Sequence, residues 1–375
     1  MAAIPALLPS PSLREELARR GAGDAGKCYQ CATCSSVCEL APAESPFPRR
    51  QMMLAQWGLV DRLAADPSVW LCHQCNDCTV RCPRNARPGD VLQAVRSLVI
   101  EKLAFPGLLG TLVARARVTW PLLLGLPLLF WVALLGLTGH LAVPPDLPAG
   151  AWGYELLVPH VFIYGVFFPV AGWVLLASIV SGRRFWKLIG SSGERRGTFA
   201  AALLPALGEI AIHKRFGRCS AAKPRQLGHL TLLWGFVGAA VTSGLLIVGM
   251  YVQHLAMPLA LTHPYKILGN VSGALLVIGG AMLVGNRLGD RNASGTTSAF
   301  DSFFLGVVVL VIATGMTVEL ARLADAASFA LTVYVVHLGS VMTLFLTFPY
   351  SKFAHMLYRT LAMVHARMTG IDTPR

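Results

Sequence analysis

Eight of the nine cysteines repeat one spacing, Cys-x2-Cys-x2-Cys-x3-Cys. The first copy is Cys28, Cys31, Cys34 and Cys38; the second is Cys72, Cys75, Cys78 and Cys82. This spacing lets thiolates wrap a four-iron, four-sulfur cubane. A close triplet reaches three corners of one cubane, and the fourth cysteine reaches the other cluster. Cys28, Cys31, Cys34 and Cys82 are therefore assigned to a first [4Fe-4S] cluster, and Cys72, Cys75, Cys78 and Cys38 to a second. Pro83 completes the second copy, whereas the first runs through Glu39, Leu40 and Ala41 before Pro42. Zinc sites use ligand pairs separated by a longer loop, and disulfides do not suit a reducing cytoplasm. Cys219 stands apart in a basic stretch and reads as a plain thiol.

The histidines suggest a second chemistry. His337 and His355 are 18 residues apart, five turns of a regular helix, which places both on one face about 27 Å apart. That rise is close to the roughly 30 Å hydrocarbon core of a bilayer. Two such imidazoles suit two b-type hemes stacked across a membrane, with Pro349 as a kink between them. A low-spin heme needs a second axial ligand. His229 matches His355 in depth, giving an inner pair. His160 is the best match for His337, giving an outer pair, with His140, His254 and His263 as substitutes. A single heme, held by the inner pair, is the other outcome. His73, His213 and His365 read as surface residues. Lys266, in HPYKILGN, reads either as a snorkelling interfacial lysine or as a contact to a quinone oxygen.

The elements that must position these groups fall into two blocks. The chain is 54% hydrophobic and 14% charged with mean hydropathy +0.57, which marks a membrane protein. Residues 1–24 read as a lead without a signal peptide. Residues 25–105 read as a small helical two-cluster ferredoxin domain. In it PRRQMMLAQWGLVDRLAAD shows helical spacing of Met53, Trp57, Val60 and Leu63 or Ala64. Pro88 and Asp90 open a further helix carrying Val91, Val95, Leu98 and Leu103 on one side. Residues 106–365 read as a membrane cytochrome b domain, with spans near 118–137, 157–181, 229–250, 265–285, 300–320 and 329–350; residues 366–375 are a tail. The fold class is thus all-α, a small cluster domain followed by a six-helix bundle.

Lysines and arginines sort the connections. Residues 138–156 and 251–264 have none, 182–228 have ten, 286–299 have Arg287 and Arg291, and 321–328 have Arg322. The tail adds Lys352, Arg359, Arg367 and Arg375. This alternation predicts both termini and the cluster domain on the cytoplasmic side of a bacterial or archaeal membrane. It also accounts for the net charge of +13 as topology, which argues against nucleic acid as a partner. Within 182–228, TFAAALLPALGEIAIHKRFGRC is amphipathic and reads as an interfacial or ordinary loop helix. GNVSG, residues 269–273, marks close helix packing.

The stretches PFPRRQMMLAQWGLVDRL and WLCHQCNDCTVRCPRNARPGDV resemble the C subunit of heterodisulfide reductase. TVYVVHLGSVMTLFLTFPYSKFAHMLYR resembles its membrane cytochrome partner and the cytochrome b subunit of respiratory nitrate reductase. One chain fusing both parts resembles the C subunits of quinone-interacting membrane-bound oxidoreductases (Qmo). The resemblance covers most of residues 45–360. It implies electron exchange between quinone and soluble adenylylsulfate reductase in dissimilatory sulfur metabolism, through Qmo A-like and Qmo B-like flavin and iron–sulfur subunits. It also implies a quinol-site lysine, a place Lys266 occupies. The nitrate reductase relative carries two histidines on its third-span helix, but ten residues after His229 stands Ala239. That departure implies either that the outer heme is missing or that its ligand moves to the extra helix carrying His160. No Cys-Cys-Gly motif occurs, so the chain is expected to relay electrons rather than transform a soluble substrate itself. The alternatives are the membrane subunit of another heterodisulfide-reductase-like complex, or a non-heme membrane anchor with a regulatory cluster domain.

Overall fold

The computed structural model describes residues 8–42, 46–190, 194–219, 223–289 and 295–371. Arg291 and Arg375 of the charge count lie outside them. The fold is all-α: no strand occurs among the described residues. Seven helices form the cluster domain: α1 Leu13–Arg19, α2 Thr33–Ser36, α3 Arg49–Gln56, α4 Val60–Ala64, α5 Ser68–Leu71, α6 Asp77–Val80 and α7 Pro88–Leu103. Then α8, Gly107–Ala114, leads into the membrane block. That block comprises α9 Ala116–Leu137, α10 His160–Ile189, α11 Phe199–Ile212, α12 Lys223–Tyr251, α13 Pro264–Leu288, α14 Ala299–Leu323, α15 Ala327–Thr347 and α16 His355–Met368.

The spine of the cluster domain is α7. Proline in its first turn is pre-set for helix and gives up only an N–H that would have no partner there. Val91, Val95, Leu98 and Leu103 are buried as their spacing predicts, and so are Leu92 and Val99 on other faces. The short helices and the membrane block enclose α7 from several sides. The helix expected over residues 48–66 is instead two, α3 and α4. Gly58 breaks it with φ +72°, and a Cβ there would lie 2.6 Å from the Ser10 carbonyl oxygen. The break rotates the buried face. Met52, Leu54, Ala55 and Leu63 go inside, while Trp57 is 57% exposed.

Among the described residues six helices, α9, α10, α12, α13, α14 and α15, are long and apolar enough to cross a bilayer, and the chain is a multi-pass membrane protein. Two details show how backbone groups are satisfied inside this block. Pro127 in α9 has no N–H for the carbonyl of Leu123 one turn earlier. The Thr343 hydroxyl of α15 donates to that carbonyl at 3.1 Å. At the α12–α13 crossing, a Cβ on Gly279 would sit 2.7 Å from the Leu232 nitrogen and 2.8 Å from the Gly228 oxygen. Only glycine permits that approach. In GNVSG, Gly269 faces Thr242 and Gly273 faces Met316, so the stretch is packed between two neighbours.

The sixth span departs from the regular helix that the His337–His355 geometry requires. Helix α15 ends at Thr347, a 3₁₀ turn follows over Lys352–Ala354, and α16 restarts at His355. Pro349 lacks the N–H that would continue the ladder. The five-turn, same-face relation therefore does not hold. The break turns α16 out of the bundle to pack against α11, α10 and α5. Helix α11 buries Ala202 and Ala206 and leaves Leu204, Leu207 and Ile212 exposed, as a helix lying along a surface would.

The cluster domain is fastened to one end of the bundle by buried polar contacts. Asp90 of α7 accepts from the Thr296 amide at 3.0 Å and its hydroxyl at 2.6 Å, and also pairs with Arg87. Gln93 donates to Asp301 of α14, which forms a 2.7 Å ion pair with Lys352. Tyr350 donates to the Phe105 carbonyl at 2.7 Å, and Arg184 to the Ala104 carbonyl at 2.7 Å.

Candidate functional site

The two cysteine loops share one local design. Each places two non-glycine residues in the left-handed region at the same offsets: Gln30 and Ala32 (φ 60° and 70°), then Gln74 and Asn76 (φ 53° and 66°). Such residues cost about 1–3 kcal/mol each and persist where the surroundings impose them. The strain turns backbone toward sulfur. The Gln30 amide donates to Cys28 Sγ at 3.4 Å and the Gln74 amide to Cys72 Sγ at 3.2 Å. In both loops the third cysteine then sits on a short helix, Cys34 on α2 and Cys78 on α6.

The loops pack so that sulfurs gather in two groups. Cys28, Cys31, Cys34 and Cys82 line one cavity. Cys38, Cys72, Cys75 and Cys78 line the other. These are the crossed quartets that the spacing assigns to two cubanes. Among the described residues no three Cys, His, Asp or Glu groups converge on a point suited to a single ion. The cysteines ring voids instead, which suits a polynuclear cluster. Burial pushes the Cys34 thiol up to about 11 and the Cys38 thiol up to about 12, with neighbouring sulfurs adding to both. As free thiols they stay protonated, and ligation releases those protons. The first cavity lies at the surface: Cys31 and Tyr29 are exposed, and Arg84 stacks over the Tyr29 ring at 4.1 Å.

The second cavity also holds Cys219. Its sequence surroundings suggest an isolated thiol, yet it is buried and packs with Cys75. The two cysteines are more than a hundred residues apart in the chain, a separation across which no spacing rule works.

Three arginines grip the backbone leading into the second cavity. Arg96 donates to the Val69 and Cys72 carbonyls at 2.8 and 2.6 Å. Arg225 donates to the carbonyls of His73 and Gln74, both at 2.6 Å. Arg359 donates to Trp70 and Cys72 carbonyls at 3.1 and 2.7 Å, and to His73 Nδ1 at 3.0 Å. Burial, reinforced by Arg96, pulls Arg359 down to about 9. The same burial, with Arg359 beside it, holds His73 well below its ordinary value, so it is neutral and accepts. His73 therefore belongs to the interior and stacks on Phe216 at 5.2 Å, contrary to its reading as a surface residue.

Behind this shell stand His229 and His355, which the fold brings together with ring centroids 5.9 Å apart and planes at 82°. The tautomers are set by a relay. His213, another expected surface residue, is buried; it donates from Nδ1 to the Ile210 carbonyl at 2.7 Å. Burial holds His213 below its ordinary value, so its Nε2 is an acceptor. It lies 2.8 Å from His229 Nδ1, which must donate. His355 Nδ1 likewise donates to the Lys352 carbonyl. Burial, and then Arg359, push His355 down to about 3. Both Nδ1 atoms thus donate, and among the described residues neither Nε2 has a hydrogen-bond partner, the pattern by which proteins orient metal-binding imidazoles. His229 and His355 are the residues that would hold a metal group at this place.

The expected outer pair is not assembled. His160 is the first residue of α10 and stacks on Tyr164 at 5.6 Å. His337 lies ten residues into α15, about 15 Å along that helix. Its Nδ1 meets the Thr314 hydroxyl at 2.9 Å, and its ring packs on Gly315. Lys266 is neither snorkelling alone nor free. It pairs with Glu319 at 2.6 Å, and Arg322 approaches the same carboxylate at 3.9 Å. Glu319 carries no signal in the sequence, because only its position across the bundle reveals the pairing. His365 is fully buried against Trp186, and neither ring nitrogen has a partner among the described residues, so it too is not a surface residue.

Comparison with known proteins follows the two blocks. Residues 24–86 match the 4Fe-4S dicluster domain, and residues 110–372 match the Citrate utilization protein B family. The chain is 27% identical to Citrate utilization protein B of Escherichia coli over 90% of its own length and 88% of that protein's. It is 39% identical to a protein of Archaeoglobus profundus described as like the C subunit of heterodisulfide reductase, over 22% of this chain and 44% of the relative. It is 37% identical to the iron–sulfur C subunit of the CoB–CoM heterodisulfide reductase of Methanopyrus kandleri, over 20% and 39%. Against these two the chain spans less than half of the relative's length. No solved structure matches. The heterodisulfide reductase likeness carried by the cysteine block is therefore present. The likeness running through both blocks is to a different family from those the sequence motifs suggest, and the chain belongs to it: the Citrate utilization protein B family.

Proposed function

We propose that this member of the Citrate utilization protein B family is a membrane electron-transfer subunit that exchanges electrons between a quinone and a soluble flavin or iron–sulfur partner. One observation carries the reading. The inner cysteine cavity is joined through the packed rings of His73 and Phe216 to an imidazole pair whose Nε2 atoms have no partner among the described residues, at the end of a six-helix membrane block. Two [4Fe-4S] clusters and heme b supply one-electron redox chemistry when bound. Cys28, Cys31, Cys34 and Cys82 would hold the first cluster, Cys72, Cys75, Cys78 and Cys38 the second, and His229 with His355 the heme. The exposed Cys31 and Tyr29 present the first cavity to a partner, while Arg96, Arg225 and Arg359 seal the second from water. The ordering leads from a soluble partner toward the membrane.

Lysine and arginine placement supports a cytoplasmic cluster domain. Lys266 and Glu319, at the opposite end of the bundle, supply a cation and a proton acceptor where a quinol would give up two electrons and two protons. A second heme on His337 with His160 requires a rearrangement that these helices do not favour, so one heme is the preferred stoichiometry. The partner has two readings. Qmo A-like and Qmo B-like subunits serving adenylylsulfate reductase follow from the sequence resemblance. A flavoprotein working on citrate or a similar carboxylate follows from the full-length relative's name, and the coverage of both blocks favours it.

The test uses the full-length protein in lipid nanodiscs, chemically reduced and then mixed with a water-soluble quinone. Rapid reoxidation in the wild type, slowed at least tenfold in a folded His355→Ala variant, supports the reading. Equal rates in both would contradict it. Affinity purification from the native membrane then separates the partners: adenylylsulfate reductase supports the first, a carboxylate-oxidising flavoprotein the second.

A further inference from the structure

Cys219 reaches the second cavity from the membrane block, in the segment between α11 and α12. That segment is built to hold it there. The Cys219 amide donates to the Phe216 carbonyl at 3.2 Å, and the Gly217 amide to the His213 carbonyl at 3.2 Å. Phe216 wedges against His73 on one side, and Arg225 covers its ring at 5.1 Å. The thiol is 3% exposed, packs with Cys75 and Leu40, and lines the same void as Cys38, Cys72, Cys75 and Cys78. Five sulfurs therefore face a space where a cubane takes four. The crossed quartet fills the corners from the cluster domain alone. The fifth sulfur touches one of those ligands, Cys75, and carries a proton that it can share.

We propose that Cys219 donates an S–H hydrogen bond from the membrane block to the Cys75 ligand sulfur and thereby raises the reduction potential of the second cluster. The proposal rests on the second cavity holding a [4Fe-4S] cluster. The physical cause is charge. Reduction adds one negative charge spread over cluster and ligand sulfurs, and a donor aimed at a ligand sulfur stabilises the reduced form more than the oxidised one. Among the described residues the first quartet has no such donor from the membrane block; its exposed Cys31 meets its neighbour Thr33, at 3.4 Å. The arrangement ties the potential of the second cluster to a residue of the membrane block.

The experiment is an EPR-monitored redox titration of the purified full-length protein, with iron and sulfide quantitation, for wild type, Cys219→Val and Cys219→Ser. Val removes the donor at similar volume; Ser keeps an O–H donor. The expected result is two clusters in all three proteins, one potential lowered in Cys219→Val, the other unmoved, and Cys219→Ser close to wild type. Unchanged potentials in Cys219→Val would overturn the proposal. Loss of one cluster from both variants would also overturn it, by making Cys219 a ligand. Fewer than two clusters in the wild type would instead remove the underlying cluster reading. If Cys219→Val does not accumulate, Cys219→Ala serves in its place with the same expected lowering.

Discussion

His365 provides a quantitative test of the packing between α16 and α10. Its imidazole is fully buried, meets Trp186 edge-on at 6.0 Å between centroids, and has neither nitrogen partnered among the described residues. Burial, with the Arg195 guanidinium nearby, pulls it down to about 4 from 6.5. The folded state thus binds this proton less tightly than the unfolded chain. Between pH 6.5 and 4 the unfolded chain holds more protons, so stability falls as pH falls through that window. For these values the loss between pH 7 and pH 5 is about 2 kcal/mol, and the full effect reaches about 3 kcal/mol at lower pH. His365→Leu removes the titrating group and keeps the apolar contact with Trp186. Thermal unfolding of both proteins in the same detergent at pH 7 and pH 5 should show a larger drop in Tm for the wild type than for His365→Leu. Parallel drops would refute the reasoning and show that His365 meets water or a partner.

Other substitutions probe the remaining contacts. Lys352→Met strands Asp301, whose side chain is 1% exposed, and should cost about 3 kcal/mol in a thermal or denaturant titration. The double variant Lys352→Met with Asp301→Asn should recover much of it. Gly279→Ala puts a methyl group within 2.8 Å of two backbone atoms of α12 and should destabilise the bundle by about 1–3 kcal/mol, read as a lower Tm. Glu319→Gln leaves Lys266 without its carboxylate and removes the proton acceptor; quinol oxidation should slow while the cluster content stays at two.

The parts of this molecule legible in the sequence are those encoded by local spacing. The six spans follow from runs of apolar residues, and the extent of α7 from Pro88 and the Val91–Val95–Leu98 stripe. The cysteine quartets follow because a cubane dictates the spacing of a triplet, and two copies dictate the crossing. The expectations that fail depend on chain reversals or on distant partners. The apolar stripe over 48–66 predicts one helix because it takes no account of Gly58, whose left-handed backbone rotates α4. Helical spacing puts His337 and His355 on one face only if the helix continues through Pro349. His73, His213 and His365 read as surface residues because the contacts that enclose them are not encoded by local spacing. Each is packed by residues outside its own segment: His73 by Phe216 and Arg359, His213 by His229, and His365 by Trp186. Arg225 and Arg359 enter the sequence reading only in the charge count and Arg96 not at all, yet all three hold the cluster loop. Cys219 is isolated in sequence and in contact with Cys75 in space.

Two cysteine cavities and one imidazole pair are held to carry redox groups in sequence. The most direct measurement is the dithionite-reduced minus oxidised visible spectrum of the purified protein, with pyridine hemochrome and iron quantitation, for wild type and His355→Ala. The expected result is one b-type heme and about eight non-heme irons in the wild type, with the heme signal lost and the non-heme iron retained in the variant. A wild-type protein with its non-heme iron but no heme would contradict that arrangement and leave the membrane block as an anchor for the cluster domain.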